Sequence, residues 1–529
     1  MTNSIEEIED TQALFIIGSN TTQTHPVIGY RINMAKKKGA SLIVADPRHI
    51  ELADYADVFL QMRPGTDGAL LNGLLNVVVE EDLIDKAFIK ERTEGFEELV
   101  ATVKKYTPEY TEEITGVPAE DIQRAARLYA NAESAAICYT MGITQHVEGT
   151  NNVLAIANLA MAAGHLGKPN SGVNPLRGQN NVQGACDMGA LPNVFTGYQR
   201  VDADNHREKF EKAWGAALNP TPGYTVTEVM DAVLDGKVKF LYVMGENPSL
   251  SDPNLQHVDE ALAEVDFLVV QDIFLTETAQ KADVVLPAAA FAEKGGTFVN
   301  TERRVQLIRQ AVTPPGEARP DWAILTELAQ RLGLSWTYES EEEVFREITA
   351  LTPSYAGISY QRLENEGGLQ WPCPEEGHPG TPILHKGTFT KGMGVFTPVE
   401  YSPPPEETCQ DYPLILTTGR DLYHYHTGSM TRKSKGLAAF RPEERAQVNP
   451  EDAKALGIEE GDAVTVTSRR GEVTARSTIT DIVPPGVVFM TFHFHESAVN
   501  LLTCCEAIDP VAKIPELKTC AIKLEKVAS

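Results

Sequence analysis

The sequence predicts an α/β protein that consists of two Rossmann-like parallel-sheet units followed by a C-terminal β-barrel. Three apolar runs between residues 13 and 60 predict the first unit, and three similar runs between residues 239 and 287 predict the second. The segment VTVTSRRGEVTARSTI (464–479) predicts the barrel, because it alternates apolar and polar residues around an Arg-Gly turn. Apolar runs separated by helical stretches are typical of parallel sheets, and alternation is typical of a β-hairpin.

The first unit follows the order strand, turn, helix, strand. ALFIIGSN (13–20), SLIVADPR (41–48) and ADVFLQMRPGTD (56–67) are apolar runs that end in small or polar residues, and the apolar helix ALLNGLLNVVVEE follows the third. Ligands of parallel α/β sheets bind at the carboxyl ends of the strands. We therefore expect a nucleotide site formed by the residues at these ends, which are Asn20, Asp46, Gly65 and Asp67.

The second unit repeats the pattern of the first. Three further segments read as strands: KFLYVMGENP (239–248), DFLVVQD (266–272) and ADVVLP (282–287). Because the two sets of strand ends are alike, the chain reads as two related α/β halves, each able to hold one nucleotide-like group. The strand-end residues of the second half are Gly245, Asn247, Gln271 and Asp272.

The barrel segment contains further strands and one short helix. PLILTTGR and GVVFMTF read as strands, and NPEDAKALGIEEGDAV reads as a helix capped by Asn449. Pro/Gly-rich stretches mark the linker before it. We predict four domains: an α/β cofactor-binding domain at 1–178, a second, incomplete one at 179–310, a helical stretch and linker at 311–405, and the β-barrel at 406–529.

Composition limits the classes of function. The formal net charge of −28 argues against an extended nucleic-acid groove. No apolar run approaches the roughly 20 residues of a membrane span, so no membrane span is expected. The seven cysteines include no CxxC pair, which argues against a disulfide framework and against a zinc or iron–sulfur motif. This usage suggests a reducing compartment, and we expect a cytoplasmic protein.

The stretch NPLRGQNNVQGACDMG (174–189) is unusually rich in glycine and amide side chains. It is one of five motifs along the chain. The other four are GSNTTQTHP, VVQDIFLTETAQKADVVLPAAAFAEKGGTFVNTERR, TTGRDLYHYHTGSMTR and VNPEDAKALGIEEGD. Together they resemble the molybdopterin oxidoreductases that bind two molybdopterin guanine dinucleotides, most closely the catalytic subunit of formate dehydrogenase. The resemblance runs through nearly the whole chain, and a barrel of the double-psi type is expected.

The resemblance assigns cofactor-binding residues by position. It implies that one guanine nucleotide is held by Gly18, Asn20, Asp46, Arg48, Gly65 and Asp67, and the other by Gly245, Asn247, Gln271, Asp272, Lys294 and Asp321. It implies that the pterins contact Met141, Gln145, Gln179, Asn180 and Gln183. The barrel is expected to cover the cofactors with Thr418, Gly419, Arg420, His424, His426, Thr427, Phe492, Asn500 and Lys518.

Arg177 is the one catalytic residue that the resemblance implies within this chain. In formate dehydrogenases the arginine of the RGQNN motif lies beside the metal, where its rigid fork suits the carboxylate of formate. An ordinary surface or ion-pair role is the alternative. Cys186, in the same stretch, is not expected to be a nucleophile or a metal ligand, because the resemblance places the metal ligand elsewhere.

The histidine pairs 424/426 and 493/495 raise the possibility of a metal site. A spacing of two would put both rings on one face of a strand. No Cys, Asp or Glu accompanies them at the spacing of a ligand, so we expect cofactor or packing contacts and no metal ligand in this chain.

Three features of the resembling family have no counterpart in the sequence. These are the cysteine cluster of a [4Fe-4S] centre, a lysine that links cluster and pterin, and a cysteine or selenocysteine bound to molybdenum or tungsten. The chain is therefore expected to be the C-terminal portion of an enzyme, inactive alone. A selenocysteine codon read as a stop or a separately encoded subunit would explain this. Iron–sulfur or flavin electron-transfer subunits are the expected partners.

Three alternatives stay open at this point. A nitrate reductase shares the fold and the motif TGRDLYHYHTGSMTR, although RGQNNVQGACDMG favours formate. A non-catalytic cofactor-binding subunit could complete its site with a partner chain. A plain nucleotide-binding α/β protein would bind free GDP or NAD, and the predicted barrel argues against it.

Overall fold

The computed structural model describes residues 1–528, which form two compact units. Unit 1 contains Met1–Gly178, Pro253–Leu255 and the residues from Ile383 onward. Unit 2 contains Gln179–Asp252 and Gln256–Pro382. The division into four consecutive domains stays a prediction. The mixed α/β architecture with parallel sheets and a C-terminal barrel is confirmed.

The core of unit 1 is a five-stranded parallel sheet. Its strands are, in spatial order, Val58–Leu60, Ser41–Ala45, Ala13–Ile17, Ala135–Tyr139 and Gly172–Pro175. Every residue of the two central strands is buried. Strands that are buried on both faces read as continuous apolar runs, which is why the runs in the sequence predicted them correctly.

Helices cover both faces of this sheet. The helix Asp67–Glu80 is buried along nearly its whole length, and Leu70, Leu71 and Leu74 pack in the larger of two core clusters on either side of the sheet. The helices of unit 1 outside the barrel are Thr21–Thr24, Pro26–Lys37, Asp67–Glu80, Lys86–Arg92, Phe96–Val103, Pro108–Thr115, Ala119–Ala130, Met141–Thr144 and Gly149–Ala162. A two-residue strand at Thr93–Glu94 pairs with Gly394–Val395.

Unit 2 has a smaller parallel sheet and a separate antiparallel one. The parallel sheet has the spatial order Val284–Pro287, Phe267–Asp272, Phe240–Met244, as the apolar runs predicted. The antiparallel sheet consists of Gly296–Val299, Arg304–Ile308 and Leu369–Gln370, and Val194–Phe195 pairs with Gln199–Arg200. The helices are Val182–Asp187, Asp204–Trp214, Val226–Leu234, Pro248–Ser251, Leu255–Glu264, Asp321–Arg331, Glu341–Leu351 and Tyr360–Glu366.

The C-terminal part of unit 1 is a closed six-stranded barrel. Its strands are, in spatial order, Leu414–Gly419, Val487–Thr491, Arg445–Val448, Glu472–Ile479, Ala463–Thr467 and Cys520–Lys526. The predicted hairpin is confirmed, since Ala463–Thr467 pairs antiparallel with Glu472–Ile479. Alternate residues of these strands, such as Val464 and Val466, are buried in the barrel core.

The barrel also contains the helices Lys435–Phe440 and Pro450–Leu456. The side chain of Asn449 accepts a hydrogen bond from the backbone N–H of Glu451 at 2.9 Å, so the predicted cap of the second helix is confirmed. Among residues 1–528, no helix is both long enough and apolar enough to cross a membrane.

Candidate functional site

A pocket in unit 1 lies where the carboxyl ends of the parallel strands meet the barrel. Residues from both parts line it, although they are far apart in the sequence. Convergence of this kind is the geometry expected for ligand sites of parallel sheets. The predicted residues that line the pocket are Gly18, Asn20, Asp46, Arg48, Gly65, Asp67, Met141, Gln145, Thr418, Gly419, Arg420, Phe492 and Lys518.

The floor of the pocket is two backbone segments in close contact. The N–H of Gly142 donates to the carbonyl of Gly18 at 3.2 Å, and the Thr140 hydroxyl donates to the same carbonyl at 2.7 Å. A Cβ added at Gly142 would lie 2.5 Å from the Gly18 oxygen. Gly18 also has a φ of +56°, which favours glycine. These two positions therefore need glycine to keep the strand ends together.

Three cationic side chains gather in the pocket. The Lys518 ammonium is buried and donates to the Thr418 carbonyl at 2.7 Å. The guanidinium of Arg48 lies 3.7 Å from the centroid of the Phe489 ring, and that of Arg420 lies 5.5 Å from the Phe492 ring. Burial, with the nearby charges of Arg420 and Arg48, lowers the pKa of Lys518 to about 7. The pocket therefore gathers three cationic groups, of which Lys518 is buried and Arg48 and Arg420 are partly buried.

The charges of Asp46 and Glu516 act on this cluster, but neither carboxylate forms an ion pair with it. Within residues 1–528, no carboxylate lies within ion-pair distance of Arg48, Arg420 or Lys518. Asp46 accepts a hydrogen bond from the backbone N–H of Arg48 at 2.9 Å, and burial raises the pKa of this carboxyl. A dense cationic site with little compensation suits an anion with several oxygens, such as a diphosphate.

A buried histidine connects the sheet to the barrel beside this cluster. His146 donates from Nδ1 to Glu516 at 3.0 Å and from Nε2 to the Gly142 carbonyl at 2.9 Å, while Asp67 lies 3.6 Å from Nε2. Burial alone would lower the pKa of His146, but the charge of Glu516, the hydrogen bond to it and the charge of Asp67 raise it to about 9. Both ring nitrogens face acceptors, so the imidazolium form is favoured.

Asp67 is the carboxylate that faces the pocket from the start of a helix. Burial raises its pKa to about 6, although His146 acts in the opposite direction. Its Oδ1 is buried and has no hydrogen-bond partner within residues 1–528. A buried acceptor of this kind costs free energy unless a donor pairs with it, so it fits a ligand that brings an N–H or O–H group.

The barrel loop that carries the first histidine pair borders the pocket without being a strand. His424 donates from Nε2 to the Arg441 carbonyl at 2.8 Å, and His493 accepts from the N–H of Asp421 at 3.0 Å. The ring of His426 packs edge-on to Phe492. The expectation that the spacing of two places both rings of a pair on a strand face is wrong, because residues 424–426 and 493–495 lie outside the barrel strands.

Several predicted residues of unit 1 do not line the pocket. Arg177 is exposed; its carbonyl accepts from His25 Nε2 at 2.7 Å, and its charge acts on the buried Tyr139. Asn500 is buried, and its carbonyl accepts from the Thr503 hydroxyl. The Thr427 hydroxyl is hydrogen bonded to that of Ser429. The set outside the lining consists of Arg177, His424, His426, Thr427 and Asn500.

Unit 2 holds the remaining predicted residues. The Gln271 amide donates to Asp321 at 2.6 Å, and Lys294 forms an ion pair with the same carboxylate. Asn247 accepts from the Thr278 hydroxyl at 2.8 Å, and Asp272 accepts from the N–H of Ile273 at 2.6 Å. Thus Gln271, Lys294 and Asp321 meet at one strand end, while Gly245 and Asn247 follow the strand Phe240–Met244 and Asp272 is the last residue of the strand Phe267–Asp272. Their role in binding a nucleotide stays a prediction.

The second half of the RGQNN motif belongs to the same unit. Asp187 accepts hydrogen bonds from Gln183 and Tyr198 at 2.8 Å each and from Trp371 at 2.7 Å, and Tyr355 also donates to it. This carboxylate therefore fixes the short helix Val182–Asp187, which follows Gln179 and Asn180. The Gln183 amide therefore takes part in the hydrogen-bond network around Asp187.

Thiols and metal-ligand clusters are not part of the pocket. All seven cysteines are free, and none of them is among the lining residues. In the described part of the chain, no group of three or more His, Cys, Asp or Glu side chains is arranged to hold a metal ion.

Comparison with known proteins identifies the family. Residues 1–331 match the family model described as molybdopterin oxidoreductase, and residues 414–521 match the one described as molydopterin dinucleotide binding domain. The chain is 56% identical over 532 residues to the F420-dependent formate dehydrogenase subunit alpha of Methanocaldococcus jannaschii, covering all of this chain and 78% of the relative. The chain belongs to the molybdopterin oxidoreductase family.

Two further proteins of known name are similar to this molybdopterin oxidoreductase. Formate dehydrogenase H of Escherichia coli is 42% identical over 534 residues, with 100% of this chain and 74% of the relative covered. The acetylene hydratase of Pelobacter acetylenicus has a similar fold, with a TM-score of 0.78, 22% identity, and 99% of this chain and 78% of the other covered. The latter comparison concerns the fold alone.

The pocket of unit 1 fits the anionic dinucleotide that the family model names. The clustered cations suit a diphosphate, and the unpartnered oxygen of Asp67 suits a base or sugar donor.

Sequence reasoning missed several residues of this pocket in the molybdopterin oxidoreductase. The segment YTMGITQH contains Gly142 and His146, but the resemblance implied pterin contacts only for its Met141 and Gln145. Glu516 and Phe489 showed no pattern beyond an ordinary loop acid and an apolar strand. The sequence did contain one indication of Gly142: it is a small residue just after a predicted strand, as Gly18 is, and such residues allow two strand ends to approach closely. The missed lining residues also include Thr24, His25, Thr140 and Thr417.

Replacing Gly142 with alanine should destabilise the pocket. Its Cβ would meet the Gly18 backbone at 2.5 Å, so we expect a loss of about 1–3 kcal/mol in the free energy of unfolding. Urea titration measures this. The matched control is Gly436→Ala, because Gly436 is also helical but has open space around it, and alanine there should be neutral or slightly stabilising. Equal stability of the two variants would contradict the prediction.

Proposed function

We propose that this chain is part of the catalytic subunit of a formate dehydrogenase. The reaction is the oxidation of formate to carbon dioxide, a proton and two electrons, or its reverse, at molybdenum or tungsten held by two molybdopterin guanine dinucleotides. The observation that carries the proposal is the identity of 50–56% along the whole chain to three relatives that are all named formate dehydrogenase alpha subunits. The cationic pocket of unit 1 supports it.

The roles of the residues follow from their chemistry. In unit 1, Arg48, Arg420 and Lys518 bind the phosphate oxygens of one dinucleotide, and Asp67 accepts from its base or sugar. In unit 2, Gln271, Lys294 and Asp321 form the corresponding contact set for the other. When bound, the metal–pterin centre supplies the two-electron redox chemistry.

The proposal extends to the type of each sheet and of the barrel, and to the residues that contact the pterins. We assign the two parallel sheets to the Rossmann-like type and the barrel to the double-psi type. Two of the strand pairs in the barrel, Leu414–Gly419 with Val487–Thr491 and Arg445–Val448 with Glu472–Ile479, are parallel while the others are antiparallel, which supports this assignment. Met141, Gln145, Gln179 and Asn180 contact the pterins.

In the complete cytoplasmic enzyme, a [4Fe-4S] centre outside this chain and iron–sulfur or flavin subunits would accept the electrons. These 529 residues supply no thiolate to the pocket, because no cysteine lines it. The chain alone is therefore inactive toward formate. Three relatives are named F420-dependent, so F420 is the first physiological acceptor to test.

The function is tested by assembly of the complete enzyme. The chain is produced with its cluster-binding region and partner subunits, and formate oxidation is followed with F420 and with a viologen dye. Mass spectrometry of the released cofactor should detect guanine dinucleotide, and metal analysis should detect molybdenum or tungsten. Formate oxidation by the complete enzyme and none by the 529-residue chain alone is expected. Nitrate reduction without formate oxidation would overturn the proposal.

Arg177→Lys should lower kcat/KM for formate by at least tenfold in the complete enzyme. A guanidinium holds a carboxylate with two parallel hydrogen bonds, whereas an ammonium offers a point charge and loses the orientation. The side chain is exposed, so the fold should tolerate the change. Arg127→Lys is the matched control, since Arg127 is an exposed arginine that pairs with Glu81 on a helix surface. Unchanged kcat/KM in both variants would contradict the role of Arg177.

A further inference from the structure

The backbone of Arg177 is held on its N-terminal side by the sheet of unit 1. The strand Gly172–Pro175 pairs in parallel with Ala135–Tyr139, and the N–H of Leu176 donates to the Tyr139 carbonyl at 2.9 Å. Both Leu176 and Tyr139 are buried. The chain therefore leaves the sheet at a fixed point, one residue before Arg177.

The carbonyl of Arg177 is held by the side chain of His25. Nε2 of the His25 ring lies 2.7 Å from this carbonyl oxygen, although the two residues are 152 positions apart in the sequence. A carbonyl oxygen can only accept, so Nε2 carries the proton and donates it. The bond involves the main chain of Arg177 and not its exposed side chain.

The other ring nitrogen of His25 faces a hydroxyl. Nδ1 lies 2.9 Å from the oxygen of the Thr24 hydroxyl. That hydroxyl also lies 3.0 Å from the Asn20 carbonyl, but the carbonyl already accepts from the Thr24 N–H, so the hydroxyl can donate to Nδ1. Burial, opposed by the hydrogen bond to Arg177 and assisted by the charge of Arg420, lowers the pKa of His25 below its ordinary value. A neutral ring that donates from Nε2 and accepts at Nδ1 satisfies both neighbours.

The main chain that carries the His25 ring is itself fixed. The N–H of His25 donates to the Thr21 carbonyl, and the His25 carbonyl accepts from the N–H of Gly29, both at 2.9 Å. The helix Pro26–Lys37 begins directly after His25 and packs its Ile28 in a core cluster of unit 1. The ring is therefore a rigid anchor for a segment that contacts it.

The segment that contains Arg177 borders the pocket of unit 1. His25, Leu176, Gly178 and Arg420 all line this pocket. A Cβ added at Gly178 would lie 2.6 Å from Nη1 of Arg420, so the chain passes close to that guanidinium directly after Arg177. The hydrogen bond from His25 therefore sets where the backbone of Arg177 lies relative to the pocket.

We propose that His25 is a positioning residue for Arg177. By holding the Arg177 carbonyl, His25 fixes the point from which the guanidinium reaches the carboxylate of formate. The inference rests on the proposed function. Without this bond the guanidinium samples a wider range of positions, and a misplacement of about 1 Å is enough to lower the rate strongly.

Proteolysis of the cofactor-free 529-residue chain measures the hold on this carbonyl directly. Trypsin cleaves after arginine, so the bond between Arg177 and Gly178 contains the carbonyl that His25 binds. His25→Leu should speed cleavage at this bond about five- to tenfold, as the loss of one hydrogen bond makes local opening more frequent. Mass spectrometry of the fragments measures the rate, and circular dichroism checks the fold.

Two further variants make this measurement specific. His25→Gln keeps an amide N–H that can donate to the carbonyl, so its cleavage rate should stay within about threefold of the wild type. His257→Leu is the matched control, because His257 is also partly buried and its Nε2 is hydrogen bonded to Asp231 at 2.9 Å. Its cleavage rate at Arg177 should not change. Equal rates for His25→Leu and the wild type would overturn the proposal.

Kinetics of the complete enzyme test whether His25 acts through Arg177. His25→Leu should lower kcat/KM for formate about five- to tenfold, chiefly through a higher KM, because the arginine binds the carboxylate before the reaction. His25→Gln should restore most of this loss. In an Arg177→Lys background, His25→Leu should have an effect of less than about twofold, since the orientation is already lost.

The outcomes separate this inference from the proposed function. A complete wild-type enzyme without formate oxidation would refute the proposed function. An active enzyme in which His25→Leu leaves kcat/KM unchanged, or in which it has the same effect with Arg177 and with Lys at position 177, would refute the positioning role alone.

Discussion

Lys518→Met is expected to raise the melting temperature of the cofactor-free protein and to weaken its binding of guanosine diphosphate by about 10- to 100-fold, the range expected for losing a charge-assisted hydrogen bond. The two effects have opposite signs because the same buried ammonium is unfavourable alone and favourable beside a phosphate. Lys518 lies buried with Arg48 and Arg420 nearby and without a carboxylate in ion-pair distance in the described residues. Methionine keeps most of the volume and removes the charge.

The dependence on pH follows from the lowered pKa of Lys518. Burial and the neighbouring cations lower it to about 7, whereas the unfolded chain keeps an ordinary value of about 10.5. Between these values the unfolded state binds more protons, so the contribution of Lys518 to the stability of the cofactor-free protein rises as the pH goes from about 7 to about 10.5. Below about pH 7, Lys518 is charged in both the folded and the unfolded state, and its destabilising effect on the fold is at its full size. The variant should lack this component of the rise.

Calorimetry in two buffers of different ionisation enthalpy provides a second measurement. A bound diphosphate raises the pKa of Lys518 again, so binding at pH 8 should take up protons in the wild type and fewer in the variant. Lys523→Met is the matched control, because Lys523 lies on the strand that begins two residues after Lys518, but is exposed and pairs with Glu525. A lower melting temperature for Lys518→Met with an unchanged Kd for guanosine diphosphate would show that Lys518 has only a structural role.

The strands could be predicted from the sequence because their physical cause is local. Strands buried on both faces must be apolar, as ALFII is throughout and SLIVA is after its first residue. The strand-end residues could be predicted for the same reason: parallel strands bring their carboxyl ends to one edge, so Asn20, Asp46 and Asp67 meet without any knowledge of the side-chain packing.

The contacts between sheet and barrel could not be predicted in this way. The backbone N–H of Val147 donates to Glu516, which is 369 positions away, and no local pattern records such a pairing. The prediction for the histidines of the barrel loop was wrong for a different reason. A spacing of two has a structural meaning only within a strand, and His424 and His426 lie in a loop whose course is fixed by hydrogen bonds to Arg441 and Thr431.

Glu516→Gln is expected to lower the free energy of unfolding by about 3–5 kcal/mol, the cost of breaking a buried ion pair by removing one partner. The Glu516 carboxylate accepts from His146 Nδ1 and from the backbone N–H groups of Val147 and Lys518, all at 3.0–3.1 Å. A glutamine side chain has one acceptor oxygen, so its amide nitrogen would face a donor on one side. The His146 imidazolium would then be buried with Asp67 as its only nearby carboxylate in the described chain.

The pH dependence distinguishes this ion pair from simple packing. The pKa of His146 is raised to about 9 in the folded state from an ordinary value of about 6.5, so its contribution to stability is complete below about pH 6.5 and is lost as the pH rises through about 9. Urea titrations at pH 6.5 and 10 measure it as the difference in stability between the wild type and Glu516→Gln, which should be much smaller at pH 10, because the opposite contribution of Lys518 is present in both proteins. Glu342→Gln, which removes one partner of an exposed helix pair with Arg346, should change stability by less than about 0.5 kcal/mol at either pH. A Glu516→Gln protein that is as stable as this control, or a difference from the wild type that is the same at both pH values, would mean that His146 is neutral in the fold and that the link between sheet and barrel is not ionic.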